Sequence, residues 1–381
     1  MKETELNIFR EHHLHHVLST YELRGLPMDL ILRDHFKGNK AVGSKDRAFI
    51  AGTAYSLIRH LSLIDYFLED TPSWPERVKE YFEMNLEMEK QNPDIPLHIK
   101  ACMPLELFEM LKTQYGEEKA VLLAESLNQE APTTLRVNPL KIEREALLER
   151  LQVHVWVTPT KHSPYGIVCS KRIDLFSLQE FREGLFEVQD EASQLASLMV
   201  DALPGQSVLD YCAGSGGKSL ILGHKMLNKG QLYLHDLRER ALKEAKVRLR
   251  RAGVQNAQII PYEDPKLQKL KQKMDWVLVD APCSGSGTLR RNPDMKWKID
   301  NAMIQRLKGE QRKIFETALS FVKKNGHIVY ATCSILEEEN EKQSAHFLSK
   351  YPIEQVGVPL ATLPKNGEMD GFFAVVFKKK G

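Results

Sequence analysis

At 381 residues, with 53 basic against 51 acidic side chains and a net charge of +2, the chain is long enough for two or three domains and has no charge excess that by itself demands nucleic acid. Its hydrophobic residues, 42% of the total, come in short pieces, none near the roughly 18 apolar residues of a membrane span. The N-terminus MKETELNIFREHHLHH is too charged for a signal peptide, so a cytoplasmic protein with no membrane partner is expected. The cysteines Cys102, Cys169, Cys212, Cys283 and Cys333 are widely spaced, with no C-x-x-C pair and no histidine at zinc-ligand spacing. That pattern argues for free thiols and against a disulfide framework or a metal site.

Up to about Asn128 the patterns are helical. Met28, Ile31, Leu32 and Phe36 form one apolar stripe, which ends at Gly38; Ile50, Ala54, Leu57, Ile58 and Leu61 form a second, behind a cap at Ser44. Asp70–Pro75 is a breaker, and Pro104–Gln114 and Glu117–Leu127 resume the helical period. His12, His13, His15 and His16 read as the solvated face of a charged helix. The character changes at Ala131–Asn138, a β-branched stretch bounded by prolines. A helix at Glu143–Leu151 and β-rich pieces at Val153–Thr158 and Gly166–Cys169 follow, making a small α/β unit. Within it Arg136 is either a surface arginine or a contact to an RNA phosphate.

From about Gly184 strand and helix patterns alternate to the end, the signature of a doubly wound sheet. Strands are expected at Ser207–Tyr211, Gln231–Leu234, around Ile259 and Ile260, at Trp276–Val279, Ile328–Ala331 and Phe373–Phe377. Helices are expected at Gln194–Leu203, Arg238–Arg251 and Ile304–Lys324. After the first of these strands comes CAGSGGKSL, Cys212–Leu220, a glycine turn of the kind that brings backbone N–H groups close to a ligand. The dinucleotide fingerprint fails at Ser219, where the third glycine should stand. The phosphate loop fits at Gly217, Lys218 and Ser219 but has Cys212 in place of its first glycine. S-adenosylmethionine would ask for this turn, an acid after the second strand and another after the third, where Asp236 and Asp264 stand, with Glu263 the alternative to Asp264. By itself the loop leaves these readings open.

The cysteines narrow them. DWVLVDAPCSGSGT at Asp275–Thr288 and HIVYATCSI at His327–Ile335 each run as a buried strand into small residues around one thiol, Cys283 or Cys333. Ligands of open α/β sheets gather beyond the carboxyl ends of strands, so both thiols belong in the active-site crevice. Methylation of cytosine at carbon 5 needs such a group: thiolate addition to carbon 6 makes carbon 5 nucleophilic, and cysteine is the side chain suited to it, helped by a nearby cation such as Lys218.

These motifs resemble the RsmB and Sun (NSUN-type) family of RNA cytosine-5 methyltransferases. The likeness runs through LRVNPLK at Leu135–Lys141, GLFEVQDEASQL at Gly184–Leu195, LDYCAGSGGK at Leu209–Lys218, DAPCSGSGTLRRNPDMKW at Asp280–Trp297, YATCSILEEENE at Tyr330–Glu341 and DGFF at Asp370–Phe373. GSKDRAFI at Gly43–Ile50 resembles that family's antitermination-factor-like RNA-binding domain. The resemblance implies an α/β fold: a Rossmann-like class I methyltransferase domain over 184–381, preceded by a small α/β (RRM-like) unit over 129–183 and an all-α RNA-binding domain over 1–128. It further implies Cys333 as nucleophile, Cys283 as the thiol assisting proton removal or release, Asp280 on the cytosine edge beside the cofactor, and Lys218 in support. Cys212, Ala213, Gly214, Ser215, Gly216, Gly217, Lys218, Asp236, Asp264 and Asp280 would hold S-adenosylmethionine. The turn departs from the family's CAAPGGK at Gly214 and Ser215, which implies a looser loop, and Ala241 stands where the family has arginine.

Arg290, Arg291, Lys296 and Lys298 follow the first cysteine loop directly. They read either as a solvated face or as cations placed to meet RNA phosphates. Reaching carbon 6 requires a base out of its stack, which favours structured RNA with an accessible cytidine. Ribosomal RNA is the expected partner, with transfer RNA the alternative, for a monomeric enzyme without a metal. A phosphate-loop hydrolase and a silent RNA-binding protein are the rival readings.

Overall fold

A computed structural model describes residues 6–381. The chain divides into two compact units, one formed up to Glu130 together with Thr288–Asn301, the other by Ala131–Gly287 and Ala302–Gly381.

The first unit is helical. Helices Ile8–Arg24, Met28–Gly38 and Ser44–Asp65 pool Leu14, Val17, Leu18, Met28, Ile31, Leu32, Ile50, Ala54, Leu57 and Ile58 in one core, at the three- and four-residue spacing that keeps side chains on one helix face. Asn7 caps the first helix by accepting from Arg10 N at 2.9 Å. Ser44 is the first helical residue, not the cap, and Gly43 precedes it without a side-chain bond. The breaker at 70–75 ends in a capping box in which Glu76 Oε2 accepts from Ser73 N at 2.7 Å, starting helix Trp74–Glu83. The histidines are not wholly a solvated face: His13 Nδ1 lies 3.1 Å from the Nε2 of buried His35.

Segment 288–301 belongs to this helical unit, although it lies inside the stretch expected to form the methyltransferase domain. Its 3₁₀ turn, Pro293–Lys298, inserts the Lys296 ammonium among Arg59 O (2.7 Å), Cys102 O (2.5 Å) and Asn128 Oδ1 (2.7 Å). Trp297 Nε1 donates to Ile58 O at 3.0 Å, and Arg59 donates to Arg290 O at 3.0 Å. Arg290 and Lys296 are buried, so both are corrected from phosphate-facing cations to interior ones; Arg291 is half-buried. Three oxygens around one Nζ use its three N–H donors, leaving none for a phosphate.

The second unit holds two sheets. Strands β1 (Thr133–Val137), β2 (Val157–Pro159), β3 (Gly166–Cys169) and β4 (Phe186–Val188) form a four-stranded antiparallel sheet in the order β2-β3-β1-β4. With helices Arg144–Leu151 and Gln179–Arg182 between them, this is the β-α-β-β-α-β pattern. Its last strand lies past residue 183, outside the segment expected for it. The second sheet comprises β5 (Ser207–Asp210), β6 (Gln231–Asp236), β7 (Ala257–Pro261), β8 (Met274–Asp280), β9 (Val322–Thr332), β10 (Ile353–Thr362) and β11 (Phe372–Lys379). Its order is β10-β11-β9-β8-β5-β6-β7, and only the β11 pairings are antiparallel.

Both faces of this sheet are covered. Along β8, Trp276 and Leu278 enter one core, with Leu220, Leu242 and Ala245; Val277 and Val279 enter the other, with Phe315 and Phe347, whose rings stack at 3.8 Å. Alternate residues of a strand point to opposite faces, so a continuous apolar run is what a doubly covered strand requires. The helix expected over 304–324 ends at Leu319, and β9 begins at Val322. β10 was not anticipated: it is an edge strand with one neighbour and mostly exposed side chains, and so lacks the apolar pattern of the others.

Candidate active site

In the parallel part of the sheet the chain order reverses between β5 and β8, which are neighbours. Crevices at such switch points are where doubly wound sheets bind ligands. A cavity of about 860 Å³ opens there, lined by the glycine turn after β5, Asp236 after β6, Asp280–Cys283 after β8 and Cys333 after β9. It is therefore built from four strand ends that are far apart in sequence.

The glycine turn is held from several sides. Gly214 and Gly216 have φ of +53° and +79°, a left-handed conformation that side chains disfavour, and a Cβ on Gly216 would meet Ala245 Cβ at 3.1 Å. Helix Gly217–Lys225 starts immediately after. Arg248 donates to Ser215 O at 3.0 Å and Ser215 Oγ at 2.7 Å, and is itself held by Glu187 at 3.1 Å. The departure from the family's proline at Ser215 thus comes with a hydroxyl that the Arg248 guanidinium grips; the turn is braced, not loose. Arg136 is corrected in the same way: it is buried and donates to Gly217 O at 2.7 Å and Gln189 Oε1 at 2.5 Å, bracing the turn from the small sheet. Burial lowers its pKa to about 10.

Asp236 Oδ2 accepts from Gly214 N at 2.8 Å, and Oδ1 from Arg238 N and Nε at 2.8 and 3.0 Å. Burial alone would raise its pKa, but these donors hold the carboxyl below its usual value. Asp264 is not on the cavity wall; its carboxylate accepts from Lys266 N at 2.9 Å and caps a local turn, while Glu263 is exposed. Asp210, not singled out by sequence, lines the cavity with a buried Oδ1 that has no partner, while its Oδ2 accepts from Ser219 Oγ at 2.6 Å. Burial raises Asp210 to about 7. Ser219 is buried with its hydroxyl committed to Asp210, which leaves the phosphate-loop reading without the hydroxyl a magnesium ion would need. A positive-φ turn, a strand-end acid and an unpartnered buried acceptor instead fit a ligand carrying ribose hydroxyls and an amino group, as S-adenosylmethionine does.

The chemistry-bearing groups converge at one end. Cys283 Sγ and Cys333 Sγ are 3.4 Å apart. Parallel strands β8 and β9 pair in register up to Asp280 and Ala331, so the residues after each end reach the same place. Lys218 Nζ donates to Asp280 Oδ2 at 2.7 Å and lies 5.3 Å over the Phe372 ring. Burial pushes the Lys218 ammonium toward losing its proton, but Asp280 and Cys333 together outweigh it and its pKa stands above the usual value. Cys212 contributes to the wall as a thiol pushed well up by burial. Sequence also missed Gln189, Arg238, Arg248 and Glu310 on the wall; the arginines sit in a basic helical stretch whose inward members only packing selects.

Residues 197–378 match the 16S rRNA methyltransferase RsmB/F family, and residues 103–175 match the ferredoxin-like domain of RsmF/B-like methyltransferases. The ribosomal RNA small subunit methyltransferase B of Vibrio vulnificus is 33% identical over 74% of this chain and 67% of its own length. The probable enzyme of that name from Synechocystis is 29% identical over 80% of this chain and 72% of its own. Against the Proteus mirabilis and Vibrio cholerae enzymes the chain spans 66% and 64% of their lengths. Among solved structures, a methyltransferase homologue from Pyrococcus horikoshii is 27% identical with a TM-score of 0.64, covering 74% of this chain and 97% of that one. The structure of PH0851 shares the fold over 98% of this chain and 100% of that one, with a TM-score of 0.85 at 24% identity. In sequence and in fold the chain belongs to the RsmB/F family of methyltransferases, and its cofactor is S-adenosylmethionine.

Proposed function

We propose that this protein methylates carbon 5 of a cytidine in RNA, in ribosomal RNA first, with Cys333 as the nucleophile. The observation that carries the reading is the pair of thiols 3.4 Å apart at neighbouring strand ends, beside the Lys218–Asp280 pair and the cofactor turn. Relatives named as ribosomal RNA small subunit methyltransferase B support RNA as the substrate class. The helical unit is then the RNA-binding part, and the enzyme acts as a monomer in the cytoplasm without a metal ion.

The cofactor, held by the 212–218 turn and Asp236, supplies an electrophilic methyl group when bound. The chain's own residues do the rest. Lys218, a cation on the same wall as the thiols, favours the thiolate of Cys333. That sulfur adds to carbon 6 of the cytosine, and the electron pair of the 5,6 double bond becomes available at carbon 5. Asp280 orients the base edge. After carbon 5 has gained its methyl group, its proton passes to solvent, the carbon–sulfur bond breaks with its electron pair returning to Cys333, and the double bond re-forms. Cys283, in contact with the Cys333 sulfur, assists this release.

The test uses labelled methyl transfer to unmodified ribosomal and transfer RNA, together with covalent trapping by RNA containing 5-fluorocytidine. Cys333→Ala should abolish both transfer and trapping, whereas Cys283→Ala should accumulate a protein–RNA adduct with natural cytidine. An adduct in the Cys333 variant would reverse the roles, and methyl transfer to any atom other than carbon 5 would sink the reading.

A further inference from the structure

Behind the two thiols lies a buried carboxylate that the mechanism above does not use. Glu339 is fully buried, six residues after Cys333 in the turn that follows β9. Its Oε1 accepts from Ser284 N at 2.9 Å and from Gln311 Nε2 at 2.9 Å, and its Oε2 accepts from Ser284 Oγ at 2.5 Å. In each of these contacts the carboxyl is the acceptor. Ser284 is the residue next to Cys283, and Gln311 also donates to Pro282 O at 3.0 Å, on the other side of that thiol. The Pro-Cys-Ser loop is thus clasped by a carboxylate belonging to the loop of the other cysteine.

We infer that Glu339 is the positioning residue that divides the labour between the two thiols, holding the Cys283 loop against Cys333 and keeping Cys283 a neutral thiol while Cys333 ionises. The proposal rests on the reading in which Cys333 is the nucleophile. The charges around the pair are unequal. Cys333 has Lys218 on its side, a cation whose hold on its proton the Cys333 charge strengthens, whereas Cys283 has Glu339 beside it. The hydrogen bond with Cys333, burial, the charge of Cys333 itself and then the Glu339 carboxylate push the Cys283 thiol well above its ordinary range, against an opposing bond from Gly285 N. Two equivalent thiols 3.4 Å apart could each add to carbon 6, and the wrong one would leave the base misplaced. An anion buried on one side removes that degeneracy. A neutral Cys283 can also donate its S–H to the Cys333 sulfur, which is what a departing thiolate needs. Tyr330, whose hydroxyl donates to Glu339 O at 2.8 Å, and Asp280, paired with Lys218, also stand near the pair, and Asp210, Cys212 and Glu310 line the same cavity.

The experiment reads thiol ionisation directly. Full-length protein is alkylated with iodoacetamide from pH 6 to 10, the cysteine peptides are quantified by mass spectrometry, and shifts of a thiol's midpoint are read as the displacement of its rate curve along the pH axis. In the wild type Cys333 should react at least tenfold faster than Cys283 at neutral pH, although both lie on the same cavity. In Glu339→Gln, which keeps the shape and loses the charge, the Cys283 midpoint should move down by about a pH unit or more, the shift expected when one nearby charge is removed. Ser284→Ala, which keeps the charge and loses one contact, should leave that midpoint in place. Equal reactivity of the two cysteines in the wild type would overturn the proposal even if no variant folds. So would a folded Glu339→Gln protein with an unmoved midpoint, the result of a merely structural role. Because alkylation requires no RNA, a Cys333→Ala enzyme that still methylated cytidine would count against the reading of the reaction, not against this ordering of the thiols.

Discussion

Replacing Gly287 by alanine tests how tightly the fold controls the distance between the two thiols. Gly287 lies four residues past Cys283, buried, with its N–H donating to Cys333 O at 2.9 Å and its carbonyl accepting from Gly371 N at 2.9 Å. An added Cβ would fall 2.1 Å from Gly371 O and 2.6 Å from Gly371 C. Both obstacles are backbone, so no flexible side chain can yield, and the strands' ends must part by roughly an ångström to restore ordinary contact. Parting them breaks or stretches both hydrogen bonds. Each contributes about 1 kcal/mol net, and each buried group left unpaired costs about 1–3 kcal/mol. A loss of about 2–5 kcal/mol follows, or a fall of roughly 5–15 °C in melting temperature for a unit of this size. Methyl transfer should fall further than stability alone explains, because the Cys283–Cys333 contact opens with the loop. Calorimetry and labelled methyl transfer at a temperature where the variant remains folded measure the two effects separately. A Gly287→Ala protein with unchanged melting temperature and turnover would refute the claim that this crossing sets the thiol geometry.

Other predictions follow from the same geometry. Arg248→Ala should weaken cofactor binding about tenfold, one charge-assisted hydrogen bond's worth, in calorimetry with S-adenosylhomocysteine; the same substitution in a Ser215→Ala background should add less. Lys218→Met should leave Asp280 without its Lys218 partner and Cys333 without the Lys218 charge, lowering kcat/KM by a factor on the order of 100 or more in single-turnover methyl transfer. The helical unit should lose stability in acid through His35, whose pKa burial lowers to about 4 from 6.5. Because the folded value is the lower one, its contribution is intact above about pH 6.5 and is lost as pH falls through 4. Urea midpoints at pH 6.5, 5.5 and 4.5 should therefore fall more steeply in the wild type than in His35→Leu.

Much of the candidate site was legible because its residue types have few other uses in such settings. Cys283 and Cys333 stand in repeated strand-then-small-residue contexts, Gly214 and Gly216 punctuate a strand–helix junction, and Asp236 ends a strand about twenty residues on; each signal is local. Periodicity likewise marked the buried strands β5, β6, β8 and β9, where both faces are covered. What local pattern could not supply was the direction of a charge. Arg290, Lys296 and Arg136 look like surface cations when read along the chain, yet all three are buried, and Lys296 and Arg136 sit among oxygens brought from distant segments, such as Asn128 Oδ1 on Lys296 and Gly217 O on Arg136. Asp264 stands at the expected place in sequence but spends its carboxylate on its own turn. Glu339 and Arg248 were invisible for the opposite reason, as charged residues in charged stretches, indistinguishable there from solvated neighbours.

The sequence by itself determined which reactive groups this protein can bring to a site, since the identity and order of its glycines, acids and the two thiols in Pro-Cys-Ser and Thr-Cys-Ser are covalent facts that survive any fold. Only the tertiary structure decided which charges serve that chemistry and which serve the interior. The physical reason is that a charge acquires its role from what desolvates it and what answers it, and for Lys296, Arg136 and Glu339 those partners come from far along the chain.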